Sequence, residues 1–420
     1  MARRPMPPGG ASPIAGAADR TSWAAVAGLM GAGVVAAAQI GGAAAALPVL
    51  QDEFGLSPAT AAWYLSTVSA LGAAGGVLLG WLGQTLGFGR QVRLGLAAIV
   101  AADLGGAAVD SLTGLLVARV GEGLGLVMVI LAAPPLLSEV SSLTHRRLVA
   151  GAWGAYMPVG SGLAALLVPV GIGLVGWRGT SVADACVAAA VLLAVLRWVP
   201  SGARRPASVP GLLGAFRSRP VVIITAVFGL YAAQYLAVVG LLPAALVADD
   251  GLSVTTAGLI GAAVFLVNAP ANVLGAYLLH RGVPLRRVIL TGCAGLAVTV
   301  WGVLDPGLPV ELRIASATAF SLVAGLIPAA LFAGLAAVSA GTESAGAAIG
   351  LVIQGSAVGQ LLGPPLVVAV GAAAGSGWPQ SAVLVCFTGL VAVGAVLLRR
   401  AAPVLLHPSP GGSAAGSSPR

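Results

Sequence analysis

The arginines of this chain fall on alternate connections between apolar runs, and that alternation constrains the fold more than any other feature. No lysine is present, so all 21 basic residues are arginine. Twelve apolar runs can be read, with boundaries near 22–50, 59–83, 94–110, 112–137, 148–175, 180–199, 221–247, 257–279, 288–304, 314–338, 345–372 and 381–398. Arg3, Arg4 and Arg20 precede the first run. Arg90 and Arg93 follow the second, Arg146 and Arg147 the fourth. Arg197, Arg204, Arg205, Arg217 and Arg219 surround the gap after the sixth. Arg281, Arg286 and Arg287 follow the eighth, and Arg399, Arg400 and Arg420 end the chain. Only Arg178 and Arg313 lie on the opposite side, and Arg119 sits inside an apolar run. Arginine resists translocation and is retained on the cytoplasmic side. The expectation is a multi-pass protein of the inner (cytoplasmic) membrane with both termini cytoplasmic.

Composition agrees. The chain is 58% hydrophobic and 8% charged, too little charge for the surface of a soluble domain. Runs of about 20 apolar residues match the length of a bilayer-spanning helix. The net charge of +8 belongs to arginines that meet anionic headgroups, so no nucleic-acid partner is implied. Backbone groups cannot stay unpaired in lipid, and the runs are too long and too uniform for barrel strands, so the fold class is an all-α membrane protein. Cys186, Cys293 and Cys386 lie within apolar runs as packing residues, and His145, His280 and His407 are scattered. No metal site and no cofactor are expected. No nucleotide-binding loop or hydrolytic constellation is present, so ATP-driven transport and enzymatic activity are not expected.

Pro200–Ser218 is the longest polar connection and reads as a cytoplasmic linker between two six-helix bundles, 22–199 and 219–400. Residues 1–21 and 401–420, rich in Pro, Gly, Ala and Ser, read as disordered cytoplasmic tails. The halves repeat in sequence. Ala37-Ala38-Gln39, Leu47-Pro48, Gly55-Leu56-Ser57, Gly80 and Gly87 recur as Ala232-Ala233-Gln234, Leu242-Pro243, Gly251-Leu252-Ser253, Gly275 and Gly282. Six helices per repeat is an even number, so both copies insert with the same orientation. The architecture expected is twelve transmembrane helices in two pseudo-symmetric six-helix bundles.

With these features the chain resembles the major facilitator superfamily over residues 22–400. Gly80-Trp81-Leu82-Gly83-Gln84-Thr85-Leu86-Gly87-Phe88-Gly89-Arg90 resembles that family's pattern between helices 2 and 3, with Gln84 where the family has aspartate. Arg119-Val120-Gly121-Glu122-Gly123-Leu124-Gly125 resembles its helix-4 pattern, with Glu in place of Gln. Gly154, Pro158, Gly160 and Gly162 form a loose version of the helix-5 motif of its antiporters, and Gly176-Trp177-Arg178 resembles the branch that includes cyanate and nitroimidazole transporters. The resemblance implies a cytoplasmic gate at Gly80, Gly87, Arg90, Arg93, Gly282, Arg286 and Arg287, resting on arginines, helix ends and packing because the loop aspartate is missing from both copies. It also implies that helices 1 and 7 line a central cavity.

A charge inside the bilayer costs several kcal/mol unless paired or wetted, which makes it a functional candidate. Four lie in the first half, Asp103, Arg119, Glu122 and Asp184, and none in the second. Arg119 and Glu122, spaced i, i+3, share a helix face. They read as a switchable pair or as a permanent ion pair locking helix 4. Glu122 and Asp103 are the candidates for proton coupling, with Asp103 alternatively a fixed partner of Arg119. Asp184 reads as an interfacial carboxylate. Substrate-binding candidates are Arg119, Gln39 and Gln234 (two amides facing each other across the pseudo-axis, or interhelical bonds), Tyr231 and Tyr235 as an aromatic wall, and Asn268. Asn272, Gln354 and Gln360 read as helix–helix hydrogen bonds.

The function expected is proton-coupled secondary transport of a small organic solute or drug-like compound by alternating access, with a slight preference for efflux. The alternatives are uptake of a small organic anion, and a non-transporting sensor or assembly protein with a transporter fold. The partners expected are a small-molecule substrate, protons and the lipid bilayer, with the protein a monomer.

Overall fold

In the computed structural model residues 20–202, 209–339 and 345–401 are described. The expected tails at 1–21 and 401–420 fall almost wholly outside these residues, as does the part of the linker that holds Arg204 and Arg205. Among the described residues there are helices and connections but no strand. Ten helical segments are long and apolar enough to cross a membrane. They become twelve on inspection of two places.

Tyr156–Trp198 runs helical for 43 residues but breaks at Gly176, whose φ of 72° and ψ of 171° reverse the chain. It therefore forms two arms, α5 and α6. The connection expected between the fifth and sixth runs shrinks to this one residue, because glycine alone adopts that backbone without strain. Phe88–Ala107 forms a further 20-residue helix whose apolarity is diluted by Arg90, Arg93 and Asp103. The spanning segments are then α1 (Trp23–Phe54), α2 (Pro58–Leu86), α3 (Phe88–Ala107), α4 (Leu112–Val140), α5 and α6, α7 (Arg219–Ala248), α8 (Val254–His280), α9 (Leu285–Val303), α10 (Val310–Val338), α11 (Gly346–Ala374) and α12 (Trp378–Arg399). A short helix, Arg146–Trp153, precedes α5, and a second, Val209–Arg217, occupies the stretch expected to be a polar linker.

The segments form two six-helix bundles, and the repeat is visible in the backbone. Gly55 and Gly251 end α1 and α7 with φ of 60° and 66°, and Gly87 and Gly282 end α2 and α8 with φ of 91° and 83°. Ser57 and Ser253 both cap the next helix, their hydroxyls accepting from Thr60 and Thr256 backbone amides at 3.2 and 3.1 Å. A serine N-cap satisfies one of the otherwise unpaired first-turn amides.

Small residues set the closeness of the helices. A Cβ on Gly41 of α1 would lie 1.9 Å from the Ser161 carbonyl of α5, and one on Gly160 would lie 2.3 Å from the Val34 carbonyl of α1. On α4, a Cβ on Gly123 would lie 1.8 Å from the Val68 carbonyl of α2, and one on Gly125 would meet the Gly95 carbonyl of α3. The glycines of the helix-4 and helix-5 patterns thus bring backbone against backbone. Gly154 lies in the turn before α5, Pro158 is buried, and Gly162 meets Leu266 of α8.

Candidate functional site

The charged residues of α3 and α4 converge inside the first bundle. Arg119 and Glu122 are buried and ion-paired within one turn of α4. The same Arg119 Nη1 donates to the Gln39 carbonyl of α1 at 2.9 Å, and the guanidinium lies 5.3 Å from the Tyr64 ring of α2. Arg119 Nε and Nη2 are buried with no hydrogen-bond partner among the described residues. Asp103 of α3 is buried and faces the Gln39 amide, Nε2 to Oδ2 3.4 Å. Turning the amide to its better-satisfied orientation places its nitrogen 3.2 Å from Asp103 Oδ1 and 3.2 Å from Glu122 Oε2. Gln39 is then the bridge between the two carboxylates. Asp103 is held by Gln39, not by a direct ion pair with Arg119.

These groups border a cavity of about 70 Å³ lined entirely by residues of α1 to α6. That is room for a few water molecules. Asp184 of α6 borders it as well.

Gln39 and Gln234 occupy equivalent repeat positions but do not face each other. Gln234 is buried and accepts from Thr388 Oγ1 of α12 at 2.8 Å, inside the second bundle. Equivalent positions diverge here because the first bundle offers two carboxylates and the second a hydroxyl.

The other second-half candidates gather around Ser321 of α10. Tyr235 Oη lies 3.2 Å from Ser321 Oγ, and Asn268 Nδ2 donates to the Ser321 carbonyl at 2.8 Å. Asn272 donates to Asn268 Oδ1 at 2.6 Å. Tyr231 stacks between Phe228 and Tyr235, with ring centroids 6.0 and 5.8 Å apart, and Phe332 of α10 and Phe265 of α8 extend the aromatic row. A π-helical turn, Leu236–Gly240, follows Tyr235. The substrate-binding candidates therefore divide into a charged cluster in the first bundle and an aromatic-amide cluster in the second.

Arginines expected at the cytoplasmic gate lie against elements of their own bundles. Arg93 Nη2 donates to the Val199 carbonyl at 2.7 Å, tying α3 to the end of α6 in its own bundle. Arg286 and Arg287 border a cleft with Arg399 of α12, also in their own bundle. Arg90 lies exposed in the first turn of α3. Long, charged side chains at the membrane surface serve their nearest helix ends, and the seam between bundles at this end is made by α2 and α11. Gly80 faces Gly350 and Gly346, and the Gln84 amide lies against Gly346 at the start of α11.

Sequence reasoning treated Gln354 and Gln360 as ordinary interhelical bonds and missed what they bond to. α2 departs from helical geometry at Gly75, with φ −149° and ψ 24°. The Ala73 carbonyl and Val77 amide, which would pair in an unbroken helix, are both taken by Gln354 of α11, at 2.9 and 3.1 Å. The amide replaces the missing backbone bond from across the bundle interface. Ser69, at the earlier break in α2, donates to Gln360 Oε1 at 2.9 Å. No local signal in the sequence marks this match, although a glycine flanked by apolar residues in α2 marks where a break is cheap.

At the arginine-poor end, Arg178 pairs with Glu53 at 2.7 Å and Asp110 at 2.6 Å, and the Trp177 indole donates to Glu53. Arg313, fully buried, pairs with Asp250 at 2.6 Å and Asp249 at 3.2 Å and donates to the Val303 carbonyl. The two arginines that oppose the charge pattern each tie together the helix ends of one bundle.

The chain is similar to the galactose-proton symporter of Escherichia coli (strain K12), 32% identical over 135 residues, which is 30% of this chain and 29% of that protein. It is likewise similar to the arabinose-proton symporter of the same strain, 32% identical over 111 residues, 26% of this chain and 24% of that protein. The matched region thus spans less than a third of those relatives' length. In fold it is similar to the crystal structure of a bacterial homolog to the human lysosomal transporter Spinster, in an inward-facing and unoccupied conformation, with a TM-score of 0.66 at 16% identity, covering 91% of this chain and 95% of that one. A family model for the Major Facilitator Superfamily matches residues 29–303, and with the twelve-helix, two-bundle architecture this shows that the chain belongs to the major facilitator superfamily.

Proposed function

We propose that this protein is a proton-coupled secondary transporter of a small organic solute, working by rocking of the bundles 22–199 and 219–400 about the α2–α11 and α5–α8 seams. The observation that carries this reading is the buried Arg119–Glu122 pair with Gln39 and Asp103, beside a cavity of water size. Two nitrogens of Arg119, Nε and Nη2, have no hydrogen-bond partner among the described residues. Buried charges are retained at a cost that well-packed apolar residues would avoid. Glu122 and Asp103 carry the proton, and Arg119 responds to their charge. The aromatic-amide cluster of Tyr231, Tyr235 and Asn268 supplies the solute contacts of the second bundle. The arginine-rich face is the cytoplasmic face of the inner membrane, with both termini on that side, and the protein acts as a monomer.

The Gly/Pro pattern of α5 supports export of a drug-like compound. Import by symport is the second reading, and it is favoured by the similarity to proteins named galactose- and arabinose-proton symporters. The direction of solute movement under an imposed pH gradient in proteoliposomes separates these readings, and Arg119→Gln, supplied with hexoses, pentoses, small carboxylates and lipophilic cations, tests the role of the pair. An anion importer loses carboxylate transport alone. A coupled exporter or sugar symporter loses proton movement with every solute it carries. Undiminished coupling in this variant overturns the role given to the pair.

A further inference from the structure

The cavity beside Glu122 has a direction. Its lining on α1 runs from Ala38 and Gln39 to Leu50, roughly 18 Å at ~1.5 Å per residue. One end is therefore the charged cluster near the middle of α1, and the other lies within a turn of the arginine-poor end of the helix. Among apolar side chains such as Ala46, Leu115 and Ile172, the polar groups met on the way are Thr180, Ser181 and Asp184 on α6 and Tyr64 on α2. Trp177, buried, stands at the far end with its ring edge-on to Phe54 at 5.9 Å and Arg178 at 4.3 Å over its face. Its indole is fixed by Glu53, which Arg178 also holds. No residue of the second bundle borders this column. A path that lies wholly inside one bundle does not close when bundles rock against each other.

We propose that protons reach Asp103 and Glu122 from the arginine-poor face through this column inside the first bundle, with Asp184 as intermediate carrier and Trp177 as the cover, and that the solute takes a separate route between the bundles. A proton taken from bulk water neutralises the Asp184 carboxylate. It then passes through water to the Asp103 carboxylate, and Asp184 returns to its anion. The charged and titratable groups facing this path are Asp103, Glu122, Arg119, Tyr64 and Asp184 inside and Glu53, Arg178 and Asp110 at the mouth. The column has room for a few water molecules, which can relay a proton. The proposal rests on Glu122 as the coupling group.

The test uses the full chain in proteoliposomes with Cys186, Cys293 and Cys386 replaced by alanine and Ser181→Cys introduced, probed with silver ion in chloride-free buffer from either side. The expected result is reaction from the arginine-poor side, with proton-driven flux slowed about tenfold and proton-independent exchange of the same solute kept. Trp177→Ala speeds the reaction, and Asp184→Asn, which keeps the side chain's size, slows proton-driven flux without silver. Reaction only from the arginine-rich side, no reaction, or reaction that leaves proton-driven flux unchanged overturns the route. Failure of the coupling reading is distinct: Glu122→Gln then moves protons as the parent does, whatever the silver result.

Discussion

Arg119 and Glu122 are paired within a single turn of α4, and one guanidinium nitrogen serves both this pair and the Gln39 carbonyl of α1. The helix-4 glycines make this possible by drawing α2 and α3 onto α4, so that Tyr64 and Asp103 reach the pair, and Gln39 approaches it from α1. Two guanidinium nitrogens remain available. Neutralising Glu122 leaves Arg119 needing a new partner in a low-dielectric site, where an uncompensated charge is costly. That is the physical basis for coupling a proton to a movement or a bound group.

Arg119→Lys does not restore function. Lysine lacks the planar guanidinium that lies over the Tyr64 ring, and its strongly hydrated point charge suits a buried pair less well. Proton-driven flux in proteoliposomes is expected to fall at least about tenfold, with protein yield and thermal stability retained better than in Arg119→Leu.

The Gln354 amide completes a backbone bond of α2 from α11, so its loss exposes two main-chain groups as well as a cross-bundle contact. Gln354→Ala is expected to destabilise by about 2–3 kcal/mol, the cost of leaving buried donors and acceptors unpaired. Thermal unfolding in detergent measures this. Distances between spin labels on the two bundles are expected to broaden in the same variant, and an unchanged distribution would show that the glutamine does not hold the seam.

At the arginine-poor end, burial separates two similar clamps. Arg313→Ala leaves Asp250 in a largely buried site and is expected to cost about 3–5 kcal/mol. Arg178→Ala removes an exposed pair screened by water and is expected to change stability less. Asp250→Ala is expected to be worse than Asp249→Ala, because Asp249 is the more exposed partner. Unfolding midpoints of the four variants check the order.

Gly123→Ala sets a methyl group on the Val68 carbonyl and is expected to cost about 1–3 kcal/mol or more, as overpacking does. Gly389→Ala, where a Cβ meets nothing within 4 Å, is expected to be neutral or to stabilise by up to about 1 kcal/mol through helix propensity. Paired stability measurements on the two variants decide whether backbone contact explains the helix-4 glycines.

Much of the fold was legible because the bilayer restricts the choices. Arginine placement and run length set the helix order, and the repeat paired the glycines at 55 and 251 and at 87 and 282, all four of which have positive φ in the structure. The connection at Gly176 was overestimated, since one glycine can reverse a chain that is otherwise helical by composition. The charged cluster could be named from intramembrane charge alone. Its internal geometry could not, because Gln39 and Gln234 carry the same local sequence and differ only in what α3, α4 and α12 present to them. The contacts of the arginines expected at the gate were not legible for a related reason: charge pattern reports side of membrane, whereas contact across the seam depends on which helices lie adjacent. Gln354 was visible as a polar residue in an apolar helix, but the carbonyl it takes lies 281 residues away at Ala73.

Proton movement by Glu122→Gln tests the central claim most directly. Proteoliposomes holding a pH-sensitive dye are given hexoses, pentoses, small carboxylates and lipophilic cations in turn. The parent is expected to couple at least one of these to a pH change, while Glu122→Gln exchanges the same solute without moving protons. Proton movement in Glu122→Gln equal to the parent would contradict the account.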